Sequence, residues 1–242
     1  MFRSILFAAA IAGILAGIFV TAAQMVRVLP IVFEAETYET AGAGHDRGAA
    51  AAHDQAAGIA AHDHGAAGAG GEEWAPEDGL ERGFFTLTAN LVTGFGFALL
   101  LAAGLTLKGG GSDWRRGLLW GLAGFLVFTL APAIGLPPEI PGAAAAELGA
   151  RQLWWLLAVA TTGAGLALVA WSRRLPWAVL GIALLLLPHA VGAPQPEAHG
   201  GLAPDWLARD FVIAALATSF IFWAVLGGLT GHFLQRFSPR RA

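Results

Sequence analysis

Cysteine is absent from the sequence, and charged residues are scarce. Asp, Glu, Lys and Arg make up 13% of its 242 residues, against about 25% in ordinary soluble domains. Without cysteine the chain has neither a disulfide nor a thiolate metal site. The phosphate-binding motif G-x-x-x-x-G-K-[ST] and the zinc-hydrolase motif H-E-x-x-H are also missing, and no concentrated basic segment suits a nucleic acid. We therefore predict that the chain is not an enzyme and binds no nucleic acid.

Hydrophobic residues, by contrast, make up 56% of the sequence and fall in long runs. About 20 consecutive apolar residues suffice to cross the hydrocarbon core of a lipid bilayer. The sequence therefore predicts an all-α fold, a single membrane domain over residues 1–242 that forms a polytopic bundle of about six transmembrane helices. Their predicted bounds are 4–26, 84–107, 117–135, 152–171, 175–192 and 208–233. Prolines bound the fifth helix. Of the six, it is the helix for which the sequence gives the weakest support for a full crossing of the membrane.

The orientation follows from the basic residues, which concentrate in cytoplasmic loops of membrane proteins. With the N-terminus inside, nine of the fourteen basic residues lie inside, and sixteen of the seventeen acids lie outside. We therefore predict that both the N- and C-termini are cytoplasmic. A cleaved signal peptide is the alternative interpretation of the first helix. Its apolar run of about twenty residues exceeds the roughly 7–15 of a signal peptide, so we expect the helix to be retained.

Residues 34–83 form the one long hydrophilic segment, which the predicted orientation places outside the cytoplasm. Ala and Gly fill most of residues 41–71, so the segment buries too little apolar surface to offset the entropy of ordering and is expected to be flexible. His-Asp pairs recur along it. Imidazole and carboxylate bind borderline divalent ions such as Co²⁺, Ni²⁺ and Zn²⁺. We predict that the loop captures such an ion through His45, Asp46, His53, Asp54, His62, Asp63 and His64.

A tighter metal entrance is predicted just outside the first helix, where acidic residues follow Pro30. If the chain continues there as a helix, Glu36 and Glu39 share a face, because residues three apart are neighbours on a helix. If it is extended, Glu34 and Glu36 share a face instead. Either arrangement brings two carboxylates together at the membrane boundary. They contact either a metal ion or a partner, or they form a solvated helix end.

Two further residues complete the predicted entrance. Glu139 lies in the connector 135–142, where three prolines fix a rigid, non-helical backbone. The alternative is an ion pair of Arg151 with Glu139 or with Glu147. His189 lies at the outer end of the fifth helix, where it is either a metal ligand or a hydrogen-bonded packing residue.

The interior of the predicted bundle is nearly free of polar chemistry. Asn90 is the most polar residue well inside the second helix, and an interhelical hydrogen bond explains it better than a role as a transport ligand. Small residues at four-residue spacing predict close helix packing. They are Ala9, Gly13 and Gly17 in the first helix and Gly227 and Gly231 in the last. Since such an interior offers few ligands to a bare divalent ion, we expect a partner chain or a homo-oligomer to complete any ion path.

A set of short motifs runs nearly end to end, and in this order it resembles the CbtA family, predicted cobalt-transporter subunits of bacterial inner membranes. The resemblance implies a multi-pass protein of that membrane that takes up cobalt for cobalamin synthesis. It also implies a small one-helix partner, CbtB, with a His-rich terminus. Cobalt is then the transported ion and not a resident cofactor. The motifs are Ala35-Glu36-Thr37-Tyr38-Glu39, Trp74-Ala75-Pro76-Glu77-Asp78-Gly79, Gly117-Leu118-Leu119-Trp120-Gly121, Gly135-Leu136-Pro137-Pro138-Glu139-Ile140-Pro141-Gly142, Arg151-Gln152-Leu153-Trp154-Trp155 and Pro188-His189-Ala190-Val191-Gly192-Ala193-Pro194.

Two functions fit these observations. In the first, the chain is a subunit of a divalent-metal uptake transporter: the loop gathers Co²⁺, and Glu36, Glu39, Glu139 and His189 form the entrance. In the second, it is a non-transporting membrane metal sensor or an assembly scaffold whose bundle docks another membrane protein. Ni²⁺ and Zn²⁺ stay open as cargo, because imidazole and carboxylate sites prefer nickel to cobalt by intrinsic affinity.

Overall fold

The computed structural model describes residues 2–43, 79–109, 111–196 and 201–238, and most of them are helical. Within those ranges the one β pairing is an isolated antiparallel bridge between Ala143 and Gly201. The all-α class is therefore confirmed. The helices are α1 (Phe2–Arg27), α2 (Leu29–Ala43), α3 (Leu80–Lys108), α4 (Trp114–Gly135), α5 (Leu148–Trp171), α6 (Leu175–Val191) and α7 (Asp205–Phe237).

Five of these helices, α1, α3, α4, α5 and α7, are long and apolar enough to cross a membrane by length and composition. The fifth predicted helix, α6, has 17 residues and is shorter. Each of the six predicted helices is present, with its ends displaced by four residues or fewer. The hydropathy pattern did not resolve α2, which is too polar and too short to register as an apolar run.

Helix ends extend beyond the predicted bounds where side chains cap them. Glu147 accepts hydrogen bonds from the backbone N–H groups of Gly149 and Ala150, each at 2.8 Å, and so begins α5. These two bonds lower the pKa of Glu147. Asp113, the one acid predicted on the inner side, accepts from the N–H of Arg116 at 2.9 Å at the start of α4. Both acids therefore have local roles at helix N-termini.

α4 contains a π-helical turn at Leu126–Leu130. The N–H of Ala131 bonds the carbonyl of Leu126, five residues earlier, instead of the carbonyl four residues earlier. Pro132 follows immediately and has no N–H. The regular pattern of backbone hydrogen bonds in α4 is thus interrupted within the apolar span. π-turns inside α-helices are often found at functional sites.

The chain divides into two compact units. The first takes the N-terminal segment up to Gln24, the segment that ends at Gly121, and the segment from Ile221 onward. The second takes the segment that begins at Met25 and the segment Leu122–Phe220. The long helix α7 contributes to both. The predicted entrance residues Glu36, Glu39, Glu139 and His189 all belong to the second unit.

In the first unit a buried polar cluster joins α1 to α3. The side-chain amide of Asn90 donates to Oγ1 of Thr21 at 2.9 Å and to Oε1 of Gln24 at 2.6 Å. All three residues are buried. The interhelical hydrogen bond predicted for Asn90 is therefore confirmed.

Glycine allows α4 and α7 to approach within backbone contact in the first unit, as the spacing of Gly227 and Gly231 predicts. A Cβ at Gly227 would lie 2.7 Å from the Cα of Gly121, closer than a side-chain atom is tolerated. The next residue, Gly228, has no heavy atom within 4 Å of such a Cβ. Two adjacent glycines of one helix therefore differ completely in what a methyl group would meet.

Gly227→Ala is expected to lower the stability of the folded chain by about 1–3 kcal/mol, because the added methyl group forces two backbones apart. Gly228→Ala is the matched control, and it is expected to be neutral or stabilising by up to about 1 kcal/mol, the helix preference of Ala over Gly. Thermal unfolding of both variants in detergent measures the difference. Equal melting temperatures for the two would contradict the backbone contact.

Candidate metal entrance

The acidic pair of the predicted entrance lies on α2, which is helical and not extended. One face of α2 packs in the core of the second unit through Val32 and Ala35, together with Val28 just before the helix, against Ile140 and three buried residues of α7. The same spacing continues to Glu39, four residues after Ala35. Burial of the apolar stripe therefore carries Glu39 to the edge of the core, and Glu36 precedes it by less than one turn.

The carboxylate of Glu39 lies against a turn of the connector after α4. Gly142 has a φ of 74°, and a Cβ there would lie 2.9 Å from Cγ and 3.0 Å from Oε1 of Glu39. Only glycine fits this position, both for its conformation and for its space. Partial burial raises the pKa of Glu39, and the negative charge of Glu36 raises it further.

Glu139 forms an ion pair with Arg151. Nη2 of Arg151 is 3.1 Å from Oε2 of Glu139, and the two side chains are 18% and 25% exposed. Burial raises the pKa of Glu139, and the guanidinium of Arg151 acts in the opposite direction. Of the two pairings open to Arg151, the structure shows the one with Glu139, while Glu147 caps α5. Any cation that reaches Glu139 must therefore compete with Arg151.

His189 packs against an aromatic ring near the C-terminal end of α6. Its imidazole meets the indole of Trp154 edge-on, with ring centroids 6.4 Å apart. Trp154 is buried, and its Nε1 has no hydrogen-bond partner among the residues that the structure describes. A Cβ at Gly135 would collide with the same indole. His189 thus makes an aromatic contact with Trp154, and its role as a metal ligand stays a prediction.

The structure brings some entrance residues together and leaves others apart. Glu36 and Glu39 interact directly, and Glu39 touches Gly142, three residues beyond Glu139. Within residues 2–43, 79–109, 111–196 and 201–238, no three His, Asp or Glu side chains are grouped to hold a metal ion. The four-residue entrance stays a prediction. The seven predicted loop ligands, His45, Asp46, His53, Asp54, His62, Asp63 and His64, lie outside the described residues.

Sequence reasoning missed two residues that contact the predicted entrance residues. Gly142 contacts the side chain of Glu39. The dipeptide Pro141-Gly142 is the sequence signal that could have indicated a turn there. The buried indole of Trp154 contacts both His189 and the position of Gly135. No local pattern signals that contact, because its members come from three separate segments.

Glu39→Gln is expected to raise the melting temperature of the metal-free chain at neutral pH. The raised pKa of Glu39 means that folding disfavours its charged form, and Gln removes that charge. The gain in melting temperature should be complete above the pKa that Glu39 has in the folded chain. It should vanish as the pH falls towards 4.5, the ordinary pKa of a Glu, because the wild-type carboxyl is then protonated. Exposed Glu34→Gln is the matched control. A pH-independent difference between Glu39→Gln and the wild type would contradict this account.

Of the comparisons with known proteins, one identifies a family for the chain. A family model described as probable cobalt transporter subunit (CbtA) matches residues 2–235. No curated protein and no solved structure matches the chain. The match covers nearly the whole sequence, from the start of α1 to the last turn of α7, and spans the His-Asp loop and the four entrance residues. The chain is a multi-pass membrane protein that belongs to the CbtA family of probable cobalt transporter subunits.

Proposed function

We propose that the chain is the membrane subunit of a cobalt-uptake transporter in a bacterial inner membrane. Co²⁺ binds first to the extracytoplasmic His-Asp loop and passes through the entrance at Glu36, Glu39, Glu139 and His189. A small one-helix subunit with a His-rich terminus, resembling CbtB, works with the chain. The observation that carries this proposal is the family match over residues 2–235.

The loop suits capture better than storage. Its donors are paired His and Asp residues separated by Ala and Gly, so each site has few preorganised ligands and releases an ion readily. Weak, exchangeable binding raises the local ion concentration near the membrane without trapping the cargo. The entrance then needs only to bind more tightly than one His-Asp pair.

Glu36 and Glu39 supply the part of the entrance that is already assembled. Their mutual repulsion contributes to the raised pKa of Glu39, and a divalent cation between them would replace that repulsion with attraction. Glu139 and His189 are held by Arg151 and Trp154 in this structure. A complete four-ligand entrance therefore requires both side chains to leave those contacts, and arrival of the ion supplies the driving force.

Transport in the presence of a partner separates this proposal from a sensor or scaffold. Radiolabelled cobalt uptake is measured in vesicles that contain the chain alone, the small His-rich subunit alone, or both. The proposal expects uptake that requires the chain and is greatest with both. Cobalt binding without uptake in every combination would favour the sensor or scaffold.

Replacing His45, His53, His62 and His64 together with Ala is expected to reduce uptake several-fold at limiting cobalt and little at saturating cobalt. Their loss removes the weak sites that concentrate the ion, whereas a saturating supply makes concentration unnecessary. His232→Ala, a histidine of α7, is the control. An equal loss at limiting and saturating cobalt would count against a capture role.

The absence of cysteine provides a clean test of the predicted orientation. Ala67→Cys, in the His-Asp loop, is expected to react with a membrane-impermeant maleimide in intact spheroplasts. Ser112→Cys, between α3 and α4, is expected to react only after the membrane is permeabilised. The reverse pattern would place the His-Asp loop in the cytoplasm and remove the basis for capture of external cobalt.

A further inference from the structure

Helices of the first unit are joined near their ends by an apolar cluster. Its buried residues are Ala8 of α1, Ala102 and Leu105 of α3, and Leu234 of α7. Trp120 of α4 packs against them, and a Cβ at Gly104 of α3 would collide with the same indole. The start of α1, the end of α3, the start of α4 and the end of α7 therefore come together at one end of the first unit.

Contacts between the terminal residues of these helices place their ends side by side. The hydroxyl of Ser4 donates to the backbone carbonyl of Phe237 at 2.8 Å, which joins the start of α1 to the end of α7. A Cβ at Gly231 would collide with the carbonyl oxygen of Asp113. The start of α4 thus lies against α7 within two turns of the end of α7.

This end of the first unit is strongly basic. Five basic side chains are exposed there: Arg3, Lys108, Arg115, Arg116 and Arg236. In the part of the chain that the structure describes, Asp113 is the one acid beside them, and it lies 3.8 Å from Arg116. Arg3, Arg115 and Arg236 have no acidic partner among the described residues. The surface therefore has a large excess of positive charge.

Large apolar side chains are exposed beside these charges. Phe2, Leu107 and Trp114 are 77%, 87% and 52% exposed, and each directly precedes one of the basic residues. The guanidinium of Arg115 lies 5.4 Å from the ring centroid of Trp114, a cation–π contact. Tryptophan is typical of the interface between membrane and water. A surface of this composition fits a partner that is both anionic and apolar.

We propose that this end of the first unit binds anionic phospholipids, with phosphatidylglycerol as the simplest example. Guanidinium groups bind phosphate oxygens through charge-assisted hydrogen bonds, and basic clusters at the ends of membrane helices attract anionic headgroups. A water-soluble anion would use the charges and leave Phe2, Leu107 and Trp114 uncovered. A phospholipid covers both, because its acyl chains contact the apolar side chains while its phosphate meets the arginines.

The turn between α5 and α6 provides a comparison within the same chain. Arg173 and Arg174 are exposed there, and both belong to one short connector of the second unit. The basic surface of the first unit draws its charges instead from four helix ends that pack together. We therefore expect it to hold anionic lipid more tightly than the α5–α6 turn does.

Lipid retention is measured by native mass spectrometry of the full chain, purified in detergent with equal amounts of phosphatidylglycerol and phosphatidylcholine. The wild type is expected to retain mainly phosphatidylglycerol. Arg115→Gln combined with Arg236→Gln should reduce that preference at least fivefold, about the effect of one basic residue at a membrane surface. The same two positions changed to Lys, which keep both charges, should retain most of it. Arg173→Gln combined with Arg174→Gln is the matched control and should change it little.

Two results of this measurement would overturn the proposal. The first is equal retention of the two lipids by the wild type. The second is an equal loss of preference in the two double Gln variants, which would follow from net charge alone. Glycerol 3-phosphate in large excess should not displace phosphatidylglycerol. Displacement would show a site for a soluble anion and contradict a lipid as the partner.

Folding of the Arg115→Gln, Arg236→Gln variant is checked by thermal unfolding in nanodiscs of phosphatidylcholine. It should melt no lower than the wild type there, because removal of like charges relieves repulsion. Added phosphatidylglycerol should raise the melting temperature of the wild type more than that of the variant. An equal response of both would contradict the proposal. None of these measurements involves cobalt, so the lipid site and the proposed transport function stand or fall separately.

Discussion

The hydrocarbon core of a membrane requires every backbone N–H and C=O to find a partner within the protein. That requirement makes the chain helical wherever it is apolar and sends its charges to the connectors. Each position where the regular helical hydrogen bonds are interrupted therefore needs an explanation. The π-turn of α4 and Pro188 of α6 are such places, and both occur in the unit that contains the entrance. Interruptions of this kind are costly, because each disturbs the helical hydrogen bonds in a medium that offers no substitute.

The helices are predictable from the sequence because run length and hydropathy report directly on burial in lipid. Their ends are less so, since Glu147 and Asp113 begin α5 and α4 by accepting backbone N–H groups, and hydropathy does not register a cap. α2 escaped the same pattern because polar residues interrupt its apolar run, although packing on Ile140 and α7 buries its apolar stripe. The π-turn has no sequence signal other than the proline that follows it.

The entrance is predictable only where it is local. The three-residue spacing of Glu36 and Glu39 fixed their proximity once the segment proved helical. Arg151, by contrast, had two plausible acids within reach, and the choice of Glu139 depends on how the proline-rich connector folds back on α5. The contact of His189 with Trp154 likewise joins residues far apart in the chain, and hydrophobic periodicity does not specify such pairs.

The amide of Asn90 uses both of its hydrogens on α1, one on Thr21 and one on Gln24. Close by, a Cβ at Gly94 would meet the carbonyl oxygen of Gly13 at 2.7 Å. Axial rotation of α1 against α3 would break two desolvated bonds, and sliding by a turn would drive side chains into that glycine contact. We therefore expect α1 and α3 to move together as one rigid pair. Any rearrangement during transport would then involve the other helices.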